Sequence, residues 1–234
     1  TGCYAGGLQT ELSIPLFWGV VPDEIRPLVA DTLAGTLMAN NNFMDVGLLG
    51  SKAILNALSQ NGYPDIAYKM AVKDTYPSWG WWIRNGATTL YENWHIDPES
   101  DISMNHIMFG EISAWMYKAL GGIFPDEKQP GFRNVILRPH FVSGLDHFEA
   151  RHQGPYGTII SSWKREGSEV TYDVTIPAGS TSNLFLRGSE LTENRKNPER
   201  NRFLKILSHE GNEYAIKLES GTYQFRIKTA GSQN

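Results

Sequence analysis

The hydrophobic period changes once along this chain, and that change limits what it can fold into. Between residues 7 and 122 the apolar side chains recur mainly at helical spacing. Between 133 and 229 they alternate every second residue. One layer cannot satisfy both patterns, because a helix buries a stripe and a strand buries a face. The chain therefore reads as a multidomain α and β protein, helical over 1–125 and an antiparallel β-sandwich over 126–234.

In the first part, Leu8, Leu12 and Leu16 mark a helical stripe with Pro15 inside it. Asp23 is the expected N-cap of the next helix. Pro27 falls in its first turn, and Ile25, Leu28, Val29, Leu33 and Leu37 lie on one face. Ser51 is expected to cap a short helix with Ile54, Leu55 and Leu58 inward, stopped by Asn61-Gly62. Pro64 opens another, carrying Ile66, Ala67 and Met70. A last helix is expected over 105–120, apolar on two faces and ended by Gly121-Gly122. Helices joined by short Gly- or Pro-bearing loops suggest a layered or toroidal all-helical domain. Several are apolar enough to need further partners, so the helical part reads as incomplete, its remaining members lying N-terminal to Thr1.

In the second part the inward candidates are Val135 and Leu137; Phe148 and Ala150; Ile159, Ser161 and Trp163; Val170, Tyr172, Val174 and Ile176; Leu184 and Leu186; and Tyr223, Phe225 and Ile227. Turn signals such as Gly154-Pro155 and Gly211-Asn212 separate them. About seven or eight short strands at this spacing make a β-sandwich. The polar run 190–202 is expected to be a surface loop or frayed hairpin.

Charge divides as the period does. Residues 1–125 hold 12 acidic and 6 basic side chains, a net of -6, and the remainder holds 13 and 15, a net of +2. The acidic half repels a phosphate backbone and the later half has no dense basic stripe, so no nucleic-acid partner is expected. No run of eighteen apolar residues is present, so no membrane span is expected. Cys3 is the only cysteine, which excludes an internal disulfide framework and a multi-cysteine zinc site.

One stretch departs from both periods. Residues 76–95, YPSWGWWIRNGATTLYENWH, crowd together Tyr76, Trp79, Trp81, Trp82, Tyr91 and Trp94 around a single carboxylate, Glu92. Pro77, Gly80 and Gly86 prevent one long helix or one clean strand. Flat aromatic faces beside a carboxylate and amides suit a sugar ring, with its apolar C–H faces and hydroxyl rim. Glu92 is the candidate general base, held among aromatics. The four tryptophans are expected to divide, two lining a cleft and two packing behind it. His106 is a candidate to hold a sugar hydroxyl or orient Glu92. His95 and His106 with Asp101 match no metalloprotease spacing, and neither metal nor organic cofactor is expected. Arg84 is expected in a scaffold ion pair rather than on Glu92. Asp45 precedes Gly47-Leu48-Leu49-Gly50, where the glycines allow either close approach to a ligand or a tight helix crossing. Asp126 and Glu127 are expected to be solvated.

The stretches YPSWGWWIRNGATTLYENW, SMNHIMFGEISAWMYKALGGIFPD, PGFRNVILRP and GPYGTIISSWKREG follow one another in an order that resembles the α-L-rhamnosidases of glycoside hydrolase family 78. The resemblance spans nearly the whole chain. It implies the C-terminal part of an (α/α)6 catalytic barrel followed by a β-sandwich. It also implies inverting release of terminal α-L-rhamnose from a rhamnose-containing oligosaccharide or glycoside. By the same resemblance Glu92, in the GATT-aromatic-Glu segment, is the general base. His106, in the Asn-His pair, lines the sugar pocket, and tryptophans near Pro-Ser-Trp-Gly wall it, Trp79 being the clearest positional match. Tyr91 stands where relatives often carry Trp. The family's general acid lies upstream, so the partner of this chain is the preceding part of the same protein, and 1–234 alone is expected to show little or no activity. Two rivals stay open: a non-catalytic carbohydrate-binding module that dispenses with Glu92, and a glycosidase of another sugar on the same barrel. A structural or interaction protein would instead bury the aromatics of 79–94 with no cleft.

Overall fold

The helical residues gather around one central helix. The computed structural model describes residues 4, 6–97, 99 and 102–229, and the chain divides into two units, Thr1–Trp115 and Met116–Asn234. The only cysteine, Cys3, and Asp101 lie outside the described residues. The first unit contains α1 (Gln9–Phe17), α2 (Arg26–Ala39), α3 (Leu48–Gln60), α4 (Pro64–Ala71), α5 (Trp79–Arg84) and, after an irregular stretch, a 3-10 turn (Ile107–Gly110) leading into α6 (Glu111–Trp115). Helix α3 is the centre: nine of its thirteen residues are buried. A Cβ added at Gly50 would stand 2.5 Å from Thr10 Oγ1 and 2.7 Å from Val46 Cβ. Of the two uses open to the glycines here, Gly50 therefore serves a tight crossing of α1 and α3. None of the described helices is long and apolar enough to cross a membrane.

Three local expectations are corrected. Asp23 does not cap α2. Ile25 occupies the N-cap, while the exposed Asp23 pairs with Arg26 at 3.0 Å, so its carboxylate is spent on a side chain rather than on backbone N–H groups. The buried stripe of α2 is Val29, Ala30, Leu33, Ala34 and Leu37, leaving Leu28 and Ile25 outward. Ser51 lies inside α3 and returns its hydroxyl to the Leu48 carbonyl at 2.8 Å; Gly47 is the N-cap. The last helix is not one regular segment. It begins at Ile107, passes from 3-10 to α, and continues as a π-turn over Met116–Leu120. Leu8, Val20, Leu49, Ile83 and Ile107 remain more than half exposed, in keeping with helices that carry more apolar surface than this unit covers.

The second unit opens with that π-turn and then forms ten strands: β1 (Ile123–Pro125), β2 (Asn134–Leu137), β3 (His147–Gly154), β4 (Gly157–Glu166), β5 (Glu169–Ile176), β6 (Thr181–Arg187), β7 (Ser189–Glu193), β8 (Leu204–Glu210), β9 (Glu213–Leu218) and β10 (Gly221–Lys228). The unit division falls at Met116, before the sequence-based boundary after Pro125, and β1 pairs with β2 within the second unit. Two five-stranded sheets result, ordered β1-β2-β6-β9-β8 and β3-β4-β5-β10-β7. All pairs are antiparallel except β2 with β6. The alternation predicts the interior well: Val135, Ile159, Trp163, Val170, Tyr172, Leu184, Phe225 and Ile227 are at most 1% exposed. Phe148 is the exception among the inward candidates, half-buried beside buried Ala150.

The strand count exceeds the expectation because short or edge strands carry weak alternation. The start of the polar run 190–202 is β7, which pairs with β10 along the sheet edge, where polar residues meet water. Asp126 is not simply solvated. It accepts from the Asn134 side chain and the Lys128 N–H, both at 2.9 Å, and the Asn134 amide first, then the Lys128 N–H, hold its carboxyl below the usual range.

Candidate active site

The irregular stretch is built from its N-cap outward. Ser78, fully buried, accepts from the Trp81 N–H at 3.0 Å and starts α5. A Cβ at Gly80 would lie 2.3 Å from the Lys73 carbonyl oxygen, so only glycine lets the helix pack this closely on the preceding loop. Beyond α5 the described residues make no regular element until Ile107. Two extended pieces of it nonetheless pair. Glu92 N–H donates to the Ser103 carbonyl at 2.9 Å, and His106 N–H donates to the Leu90 carbonyl at 2.7 Å. The Thr89 hydroxyl donates to the Met104 carbonyl at 2.5 Å.

Glu92 is half-buried and faces a cleft of about 250 Å³ lined by Gly47, Leu48, Glu92, Asn93 and Ile102. Its Oε2 accepts from the Ser103 backbone N–H at 2.9 Å. Oε1 takes no hydrogen bond from the described residues. One oxygen thus fixes the carboxylate and the other is open to water. Arg84 is not the counter-ion: it pairs with Asp74 at 2.7 Å on the surface, as expected for a scaffold ion pair.

The tryptophans do not divide evenly between cleft and support. Trp79, Trp82 and Trp94 are 5%, 2% and 6% exposed, and Tyr91 is also buried. Each indole N–H is used on a backbone carbonyl: Trp79 on Phe109 at 3.0 Å, Trp82 on Trp94 at 3.0 Å, Trp94 on Val46 at 2.8 Å. Trp94 is 4.3 Å from Phe109, 4.7 Å from Trp82 and 5.2 Å from Trp79 between ring centroids, mostly edge to face. Their faces are therefore covered by one another. A buried polar N–H left unpaired costs as much as a lost hydrogen bond, which is why all three reach carbonyls. Of the four, Trp81 alone is half-buried rather than buried, with its ring perpendicular to that of exposed Tyr76 at 6.1 Å. A sugar platform needs an open face, so the stacking expectation narrows to Trp81.

His106 is half-buried at the start of the 3-10 turn. Its Nδ1 accepts from the Met108 N–H at 3.3 Å, which in the neutral ring places the proton on Nε2. Neither His106 nor Trp81 lines the cleft at Glu92. His95 is exposed, and its proposed metal partner Asp101 is not described. Asp45 is exposed, its backbone N–H held by Gln9 Oε1 at 2.7 Å. Trp163 of the β-sandwich is 1% exposed with its N–H on the Leu120 carbonyl, a core position as its alternation predicts.

Sequence reasoning did not find Ser103, Ile102 or Leu48. Ser103 acts on Glu92 through its backbone, which no residue type signals. Ile102 and Leu48 read as ordinary apolar positions until the loop pairing brings them beside the carboxylate.

Two family profiles divide the chain between them. The bacterial alpha-L-rhamnosidase 6 hairpin glycosidase domain matches residues 1–120, and the bacterial alpha-L-rhamnosidase C-terminal domain matches residues 122–201. An alpha-L-rhamnosidase of Formosa agariphila is 27% identical over 230 residues, covering 94% of this chain and 25% of that protein. One of Streptomyces avermitilis is 28% identical over 192 residues, covering 79% of this chain and 18% of that protein. The crystal structure of Streptomyces avermitilis alpha-L-rhamnosidase complexed with L-rhamnose superimposes with a TM-score of 0.82 at 25% identity, over 95% of this chain and 22% of that one. The structure of alpha-L-rhamnosidase from Dictyoglumus thermophilum gives 0.82 at 26% identity, over 94% and 25%. The chain thus spans a quarter or less of the relatives it matches. The helical residues match the six-hairpin domain, strands β1 to β7 match the C-terminal domain, and the chain belongs to the bacterial alpha-L-rhamnosidase family.

Proposed function

We propose that this chain supplies the general-base side of an inverting α-L-rhamnosidase, with the general acid contributed by the preceding part of the same protein. One observation carries this reading. Glu92 stands at a cleft with one oxygen fixed by the Ser103 N–H and the other without a hydrogen-bond partner among the described residues. Glu92 Oε1 takes a proton from a water as that water attacks the anomeric carbon. An upstream carboxylic acid protonates the departing glycosidic oxygen. Inversion needs room for the water, so the two carboxyls stand about 6.5–9.5 Å apart. Outside the cleft lining, half-buried Trp81 offers a ring to the sugar and His106 Nε2–H donates to a hydroxyl. The Trp79, Trp82, Tyr91 and Trp94 cluster holds the loop rigid rather than touching substrate. Neither a metal nor an organic cofactor has a step in this scheme.

The test is Glu92→Gln in the full-length protein with an aryl α-L-rhamnoside. Turnover is expected to fall by about 10³-fold or more while binding of rhamnose is retained. NMR of the first-formed sugar should show the anomer opposite to the substrate's. Near-parental turnover removes Glu92 from the role, and the retained anomer removes inversion. The covered aromatics alone would suit a structural role, but the cleft at Glu92 favours chemistry. The polypeptide 1–234 by itself holds half of the acid–base pair and should not hydrolyse the aryl rhamnoside.

A further inference from the structure

The cleft at Glu92 has a second polar side chain that the resemblance does not assign. Asn93 lines the same 250 Å³ space. Its Oδ1 is committed, accepting the Trp94 backbone N–H at 2.9 Å. That bond settles which end of the amide is which: the oxygen faces the backbone and Nδ2 faces away from it. Asn93 is exposed, and Nδ2 donates to none of the described residues. Trp94, to which the amide is anchored, is itself pinned in the aromatic cluster and through its indole to Val46. A pair of N–H donors is thus presented at the cleft on a rigid mount, next in sequence to the candidate base. The remaining lining, Leu48, Ile102 and Gly47, offers no side-chain donor.

We propose that Asn93 is a substrate-binding residue whose Nδ2 donates to the sugar hydroxyl adjacent to the anomeric carbon, the 2-hydroxyl. This rests on the reading of Glu92 as the general base. If Glu92 faces the anomeric carbon through one water, the group its neighbour reaches in the same small cleft is the substituent one carbon away. The contact holds the ring in place at the base, and its contribution appears in kcat/KM. The donor is a neutral amide, which suits a hydroxyl and adds no charge beside the carboxylate.

The experiment is a cycle between enzyme and substrate. Full-length parent, Asn93→Ala and Asn93→Leu are assayed on an aryl α-L-rhamnoside and on its 2-deoxy analogue. Leu keeps the bulk, loses the donors and adds no charge beside Glu92, and the melting midpoint of each variant is measured to check that it is folded. On the complete substrate both variants should lose about 10–100-fold in kcat/KM. On the 2-deoxy analogue each should fall within about threefold of the parent, because the contact no longer exists to be lost. Equal losses on both substrates, or variants within threefold of the parent on the complete one, overturn the assignment. Glu92→Gln is run alongside. If it retains turnover, the reading of the base has failed; if it is inactive while Asn93→Ala is unaffected, only the assignment of Asn93 has failed.

Discussion

Replacing Trp94 by Phe separates a supporting tryptophan from a sugar platform. The substitution removes the indole N–H that reaches the Val46 carbonyl at 2.8 Å in a buried setting. Leaving that carbonyl without a donor costs about 1–3 kcal/mol. The smaller ring also leaves a void against Trp82, Trp79 and Phe109, whose centroids lie 4.7, 5.2 and 4.3 Å away, adding about 1–2 kcal/mol. The sum is about 2–5 kcal/mol. At about 2–4 °C per kcal/mol for a cooperative unit of 150–250 residues, the melting midpoint falls by roughly 4–20 °C. The assay is scanning calorimetry on the full-length protein, paired with KM for an aryl rhamnoside measured well below the transition. Folded variant should bind nearly as the parent does, with KM within about threefold. A midpoint unchanged to within about a degree, together with a roughly tenfold rise in KM, would refute the reasoning, because that pattern belongs to a ring that stacks on substrate.

The converse holds for Trp81→Ala: KM should rise by about tenfold with a small change in midpoint, and a large loss of stability with normal KM would count Trp81 among the supports. In the β-sandwich, Ser161 Oγ donates to the Gly121 carbonyl at 2.6 Å and lies 3.0 Å from the Tyr172 hydroxyl, all buried. Burial pushes the Tyr172 phenol well above its usual pKa, so it stays a neutral donor at working pH. Ser161→Ala orphans both partners and should cost about 2–5 kcal/mol, more than Tyr172→Phe at about 1 kcal/mol; the reverse order in thermal unfolding would break the assignment of donors. Asp126→Ala should destabilise at neutral pH and become nearly neutral in strong acid. The folded carboxyl titrates below its usual value of 3.8, so its contribution is present above that value and lost as pH falls through the folded pKa. A destabilisation independent of pH would show that the carboxylate is not what stabilises.

The period change near residue 125 alone determined that helices precede sheets, and alternation alone named most of the sandwich interior, down to Trp163, Tyr172 and Phe225. Those are local properties: a face is either apolar or not, and water sorts it. The 76–95 segment stood out as a candidate site for the same reason, since six aromatics around one carboxylate fit neither period. The division of labour inside that segment was not legible. Trp79, Trp81, Trp82 and Trp94 are chemically identical, and only the packing of α5 against the Phe109 turn and of Trp94 against the Val46 loop decided that three are buried and one is half-buried. The caps of α2 and α3 went the same way. Asp23 and Ser51 are good caps by type, but Asp23 met Arg26, and the close approach at Gly50 accompanies an α3 that starts at Leu48. The grip on Glu92 comes from a backbone N–H eleven residues along the chain at Ser103. Every residue except proline carries that donor, so only the folded pairing of the two loop segments could decide which one the carboxylate would find.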